Sequence, residues 1–210
     1  MAFYKDDRIC FLLVGKYEKR KGHTKALQAW AKKYGNNKKY HLQCAVYNGF
    51  INGDLNNQLV STALDGEKYY NISFLPPQET NAAYNDFLNS SNIIIGMSGG
   101  EGWGLPEFQS VALGKHGVIL NAHGYKGWAT AENSTLVEPS GKVDCVDNLF
   151  FKKGDDYNQG KIFTWEEDDF IEACEQAISK YESSQVNEEG LKLQEEFTYS
   201  RTLDEILKVF

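Results

Sequence analysis

A chain of 210 residues, 41% hydrophobic and 24% charged, has the length of one generous domain or two small ones and buries roughly 70% of its unfolded surface on folding. That composition excludes disordered, collagen-like and coiled-coil chains and removes any need for disulfide or metal staples. The formal charge of -7, from 22 Lys and Arg against 29 Asp and Glu, argues against general nucleic-acid binding, which depends on clustered cations displacing counterions.

The first predicted element is Ile9-Cys-Phe-Leu-Leu-Val14, an unbroken apolar run closed by Gly15, which reads as a strand buried on both faces of a parallel sheet. It is the longest purely apolar run and far shorter than the roughly 20 residues that cross a bilayer. A basic cluster follows it where a signal peptide would carry small residues, so a cytoplasmic location without a transmembrane segment is expected. The four cysteines, Cys10, Cys44, Cys145 and Cys174, form no C-x-x-C pair and are expected as reduced core thiols.

After the polar turn Lys16 to Gly22, Leu27, Trp30, Ala31 and Tyr34 recur at helical spacing until Gly35-Asn36. Tyr40 to Tyr47 is a second predicted strand and Ile72 to Leu75 a third, stopped by Pro76-Pro77. Tyr84, Phe87 and Leu88 mark a short helix, and Asn92-Ile-Ile-Ile-Gly96 a fourth strand. Ser98 to Gly104 then leads into a helix that opens with Pro106, buries Phe108, Val111 and Ala112, and ends at Gly114. Val118 to Leu120 and Thr135 to Val137 complete six strands. Strands alternating with helices predict an α/β fold with a doubly wound parallel sheet in a single domain over residues 1–210.

Residues 143–163 break that rhythm and suggest an inserted hairpin. Thr164 and Glu167 have capping-box spacing ahead of a helix with an apolar stripe from Phe170 to Tyr181. The carboxylates of that first turn suit the helix dipole better than a metal site. A last helix from Ser200 carries Leu203, Ile206, Leu207 and Phe210 at i, i+3, i+4 and i+7, which reads as an inner face.

Ligands of open parallel sheets bind at the carboxyl ends of the strands. The turn after Val14 concentrates Lys16, Lys19, Arg20 and Lys21 against Glu18 just ahead of a helix, an anion site by charge and by dipole. It is neither a Walker A loop nor a dinucleotide fingerprint. The loop Ser98 to Gln109 sets glycines around Glu101 immediately before a helix, so backbone amides can approach an anion while the carboxylate meets hydroxyls. The two loops are expected to share one hollow at that rim of the sheet. His23, His41, His116 and His123 are isolated in the sequence and read as structural.

These segments resemble the C-terminal, donor-binding domain of retaining glycosyltransferases of the GT-B fold, a Rossmann-like half of a two-domain enzyme. Val14-Gly-Lys-Tyr-Glu-Lys-Arg-Lys-Gly22 is similar to the family's Gly-Arg…Lys-Gly loop. Glu101-Gly-Trp-Gly-Leu-Pro106 matches its Glu-Gly-Phe-Gly-Leu-Pro signature with Trp for Phe. Leu113 to Asn121, Leu136 to Pro139 and Phe197 to Arg201 resemble further family segments.

The resemblance implies transfer of a sugar from a nucleotide-sugar donor with retention and without a metal or other cofactor. It implies that Lys16 and Lys21 neutralise the donor diphosphate as charge gathers on the leaving group, and that Glu101 holds sugar hydroxyls. Gly15, Gly100 and Gly102 would line the donor, the amides around Trp103, Gly104 and Leu105 would meet phosphate oxygens, and Gln109 would bind the ribose where the family usually has a second Glu. A shifted register would bring in Glu107, although its two-residue offset turns it from the same helix face.

In this fold the acceptor belongs to an N-terminal domain, and here the first strand lies within ten residues of Met1. Three expectations follow: a donor-binding half completed by a separate acceptor-binding chain, a non-catalytic nucleotide-sugar module for sensing or scaffolding, or transfer on this domain alone, helped by self-association. A missing domain would leave apolar side chains near Tyr17, Trp103, Tyr125 and Trp128 uncovered.

Overall fold

Six apolar segments become the strands of one parallel sheet: β1 (Ile9–Gly15), β2 (Tyr40–Val46), β3 (Ile72–Phe74), β4 (Ile93–Gly96), β5 (His116–Leu120) and β6 (Thr135–Val137). The computed structural model describes residues 7–148, 150–158 and 160–209. The strand order is β3-β2-β1-β4-β5-β6, the doubly wound arrangement expected from the alternation of strands and helices. Each inner strand is apolar on both faces because helices cover both sides. Phe11, Leu12, Ile93, Ile94, Val118, Ile119 and Leu120 are all fully buried.

The covering helices are α1 (His23–Tyr34), α2 (Gly53–Ala63), α3 (Asn81–Asn89), α4 (Leu105–Ala112) and α5 (Glu167–Ser183), followed by the short α6 (Glu188–Leu191) and α7 (Leu193–Glu196) and then α8 (Tyr199–Leu207). α1 packs beside α5 and α3 beside α4. Phe11 of β1 meets Trp30 edge-on and stacks on Tyr34, with ring centroids 5.9 and 5.8 Å apart, so the first strand and first helix share one aromatic core. All four cysteines are buried and outside any disulfide, as a small hydrophobe would be. Among the described residues no helix is long and apolar enough to cross a membrane.

The segment that interrupts the alternation contains two antiparallel strands, β7 (Gly141–Asp144) and β8 (Lys161–Thr164). Phe150 and Phe151 lie in the long loop between them. β8 is tied to the loop after β4, where the Phe163 amide donates to the Gly99 carbonyl at 2.8 Å.

Several local expectations change. Thr164 belongs to β8 and pairs opposite Gly141, so it caps nothing, and α5 starts at Glu167 without a side-chain cap. α2 was not anticipated: its residues are largely polar, and it starts where the Asn52 side chain accepts the Leu55 amide at 2.7 Å. The stripe on α8 is not an inner face, since Leu203, Ile206 and Leu207 remain 56%, 51% and 60% exposed. Phe210 lies outside the described residues.

Candidate functional site

Strand order reverses between β1 and β4. The connection after β1 leads towards β2 and the connection after β4 towards β5, so the two loops part at the carboxyl ends of adjacent strands and leave a crevice. Both strands end in glycine, and Gly15 holds φ +132°. A Cβ there would lie 3.3 Å from His23 Nε2 and 3.4 Å from Lys21 Nζ, so the bare backbone lets the turn fold back over the strand end.

The two loops are sewn together. The Gly99 amide donates to the Arg20 carbonyl at 2.7 Å, and the Ser98 hydroxyl donates to the same oxygen at 3.2 Å. The Arg20 guanidinium donates to the Gly100 carbonyl and to Glu101 Oε1 at 3.1 Å. Lys21 Nζ contacts the same carboxylate oxygen. Burial pushes the Glu101 carboxyl up, but Lys21 and Arg20 outweigh it and hold Glu101 below the usual carboxylate range.

Lys16 does not reach Glu101. It pairs with Glu18 at 3.2 Å, and its ammonium sits 5.0 Å from the ring centres of both Phe50 and Phe150. Those rings meet edge to face at 5.5 Å, so an aromatic residue from the β7–β8 loop helps to hold the first lysine of the turn. Arg20 joins Lys21 in spanning the gap and also meets Glu18 at 2.7 Å. Lys19 donates to the Val146 carbonyl of the β7–β8 loop at 2.6 Å. Lys16, Arg20 and Lys21 therefore share the carboxylates of Glu18 and Glu101, Lys19 adds a fourth cation, and the turn keeps a surplus of positive charge.

The hollow beside the turn, about 590 Å³, is bordered by Tyr17, Glu18, Lys25, Asn48, Leu59 and Asp147 and does not include Lys21 or Glu101. The expected hollow shared by Lys16, Lys21 and Glu101 thus reduces to a contact between Lys21 and Glu101, reinforced by Arg20.

Of the remaining predicted residues, Gly100 and Trp103 are half-buried, Gly102, Leu105 and Gln109 are exposed, and Gly104 is buried. Gly104 takes φ +78°, and a Cβ there would fall 2.1 Å from Tyr125 Cε1; only glycine fits. α4 starts directly after it with Pro106 in its first turn and no side-chain cap, so its first backbone amides have no capping side chain.

The expected uncovered aromatics are largely covered. Tyr17, Tyr125 and Trp128 are 6%, 0% and 3% exposed. The Tyr17 hydroxyl bonds to that of Thr24 at 2.8 Å, and Trp128 Nε1 donates to the Trp103 carbonyl at 2.8 Å. Trp103 itself packs edge-on against Phe108 and Phe197. Exposed apolar side chains nearby are Leu105 at 60% and Phe50 at 74%, and the α8 stripe is exposed further along the chain.

Sequence reasoning treated all four histidines alike, yet two of them border the crevice. His23, fully buried at the start of α1, is pushed down to about 3 by burial and by the charges of Lys21 and Arg20, so it stays neutral. His123 Nε2 lies 2.7 Å from the Ser98 carbonyl. His41 pairs with the Ser73 hydroxyl and His116 with the Ser184 carbonyl. Arg20 could have been singled out from its place in the basic run. Glu107 is turned into the core beneath the crevice, 2% exposed, and burial pushes its carboxyl up to about 7 against the charge of Lys21.

No protein-family model matches the chain, and no curated protein matches it. Solved structures do. The C-terminal domain of the glycosyl transferase group 1 family protein LpcC from Francisella tularensis superimposes with a TM-score of 0.64 at 15% identity, over 88% of this chain and 83% of that one. A glycosyltransferase from Rickettsia africae gives a TM-score of 0.71 at 13% identity, over 98% of this chain and 48% of that one. HepE from Anabaena, in complex with UDP and glucose, gives 0.69 at 13% identity, over 97% of this chain and 48% of that one. The chain spans about half the length of these last two proteins, and its fold is that of the Rossmann-like C-terminal half of a GT-B glycosyltransferase.

Proposed function

We propose that this chain is the donor-binding half of a glycosyltransferase that takes a sugar from a nucleotide-sugar donor. The observation that carries this reading is the meeting of Lys21, Arg20 and Glu101 at the point where the strand order reverses, beside the uncapped start of α4. A diphosphate needs fixed positive charge and free amides, and a sugar needs a carboxylate that accepts its hydroxyls; this crevice offers all three. The neighbour HepE is described in complex with UDP and glucose, which suits the same chemistry.

As the bond between sugar and diphosphate breaks, negative charge grows on the departing phosphate. Lys21 and Arg20 stabilise that charge without reorganising, because the contacts to Glu101 and to the loop backbone already hold them in place. Two fixed cations fill the role a divalent metal would otherwise play, and transfer proceeds with retention and independently of metal. Lys16, between its two aromatic rings, adds to the field from the edge of the site. Glu101 is ionised at neutral pH and orients the sugar through its hydroxyls. Acceptor binding is assigned to a companion half, in the same chain or another, in keeping with coverage of about half of the larger neighbours.

Calorimetric titration with UDP-, GDP- and ADP-sugars in the presence of a chelator tests this reading. At least one donor is expected to bind, and Lys21→Ala to weaken it at least tenfold. No heat with any donor, or equal binding by the variant, refutes it.

A further inference from the structure

The loop after β4 is bracketed by two glycines whose missing side chains make room for one buried pair. A Cβ on Gly96 would lie 2.9 Å from Glu107 Cγ and 3.4 Å from the Tyr125 hydroxyl oxygen, and a Cβ on Gly104 would lie 2.1 Å from Tyr125 Cε1 and 3.1 Å from Glu107 Oε2. Both side chains are almost wholly buried. Neither Glu107 Oε2 nor the Tyr125 hydroxyl has a well-formed hydrogen bond, although the hydroxyl is near enough to favour the ionised carboxyl. Buried polar groups are normally satisfied, so this pair is an exception that packing alone does not require.

The charged and titratable groups facing Glu107 come from four places: Lys21 from the turn after β1, Glu101 from the loop after β4, Tyr125 from the turn after β5, and Tyr84 from α3. Lys21 is the one cation among them, and it is also the cation that grips Glu101. Gln109, two residues along α4, is exposed and uncharged. Lys21 Nζ lies against Gly15 and Glu107 against Gly96, the ends of the paired strands β1 and β4, so the carboxylate that α4 brings to this region sits close to the cation at the crevice.

We propose that Glu107 is a positioning residue: held against Tyr125 beneath the Lys21–Glu101 pair, it competes with the ligand's diphosphate for the charge of Lys21 when ionised and frees that charge when protonated. This rests on the crevice being a diphosphate site. A bound diphosphate brings negative charge towards Lys21 and makes Glu107 hold its proton more tightly. By linkage, binding then takes up a proton and strengthens as pH falls through neutrality.

The test has a binding arm and a spectroscopic arm. The binding arm uses whichever of UDP-, GDP- and ADP-glucose binds the wild-type chain, because a diphosphate esterified at both ends keeps a constant charge between pH 6 and 8. The expected result is about fivefold tighter binding at pH 6 than at pH 8, which is what a rise of one pH unit in the Glu107 titration on binding, from about 7, gives over that interval. Glu107→Gln is expected to abolish that dependence and to bind at pH 8 as wild type binds at pH 6. A flat wild-type profile, or the same slope in the variant, overturns the proposal.

The spectroscopic arm follows the Glu107 carboxyl by carbon-13 NMR with no ligand present. Its titration midpoint is expected to rise in Lys21→Met and, separately, in Tyr125→Phe. A midpoint unmoved in a folded variant overturns the coupling. If no nucleotide sugar binds the wild-type chain at any pH, the diphosphate reading fails and takes the proposal's ligand with it. The spectroscopic arm then still decides whether Glu107 and Lys21 are coupled.

Discussion

Glu107→Gln changes one atom of a buried group, and its effect on stability can be worked out in sign and size. The folded carboxyl titrates at about 7, raised from 4.5 chiefly by burial and against the pull of Lys21. Between those two values the folded chain holds a proton that the unfolded chain has released, so stability falls as pH rises from about 4.5 and levels off above about 7. At roughly 1.4 kcal/mol per pH unit, that interval costs the wild-type chain about 3 kcal/mol at pH 8. Gln stays neutral in the same space and escapes the cost. The variant is therefore expected to match wild type near pH 4.5 and to exceed it by about 3 kcal/mol at pH 8. Urea denaturation from pH 4.5 to 8.5 measures the difference, in which titrating groups uncoupled from Glu107 cancel. A constant difference across the range, or a variant less stable at pH 8, would refute the reasoning.

Gly104→Ala combines a left-handed backbone with a Cβ placed 2.1 Å from Tyr125, and a loss of about 3 kcal/mol in urea denaturation is expected from the two costs together; an unchanged midpoint would mean the loop moves freely. A double-mutant cycle of Lys21→Met and Glu101→Gln, both sites being about nine-tenths buried, should give a coupling of about 2 kcal/mol, with Arg20 limiting the damage. Because the folded Glu101 titrates below its ordinary value, that coupling is present at neutral pH and disappears as pH falls through the folded pKa; coupling that persists in acid would contradict the assignment. Ile206→Lys on the exposed stripe of α8 should shift stability by less than about 0.5 kcal/mol, and a larger loss measured in the same denaturation series would show that the stripe is packed.

The strands were legible because each is an apolar run bounded by glycine, proline or polar residues, and strand-helix alternation leaves few topologies open. The meeting of the turn after β1 with the loop after β4 followed from the rule for open sheets. Lys21 facing Glu101 was expected and is seen, but the fate of Lys16 was not legible. Phe150, far along the chain, packs beside Lys16 away from Glu101, and Arg20 joins Lys21 there instead, a choice no local pattern encodes. α2 was hidden by its polar sequence, and its one clear signal was the Asn52 cap. Capping-box spacing at Thr164 misled because Thr164 is held in strand pairing with Gly141 and the helix begins three residues later, at Glu167. On α8 the periodicity identified a helix correctly, but amphipathicity cannot say whether anything lies against the apolar face. Glu107 shows the same limit: its offset from Gln109 put it on another face of α4, and only the two flanking glycines make that face a slot.

The central position of β1 has a kinetic consequence. It pairs with β2 through Ile9 and Tyr40, a contact the chain can make early, but it pairs with β4 through Phe11 and Ile93, across a much longer stretch of chain. Loop-closure entropy delays the second pairing relative to the first. Until β4 docks, one edge of β1 stays open, with Phe11, Leu12 and Leu13 available to stray strands. The pairing of largest sequence separation in the sheet is thus the one that brings the two loops of the crevice together.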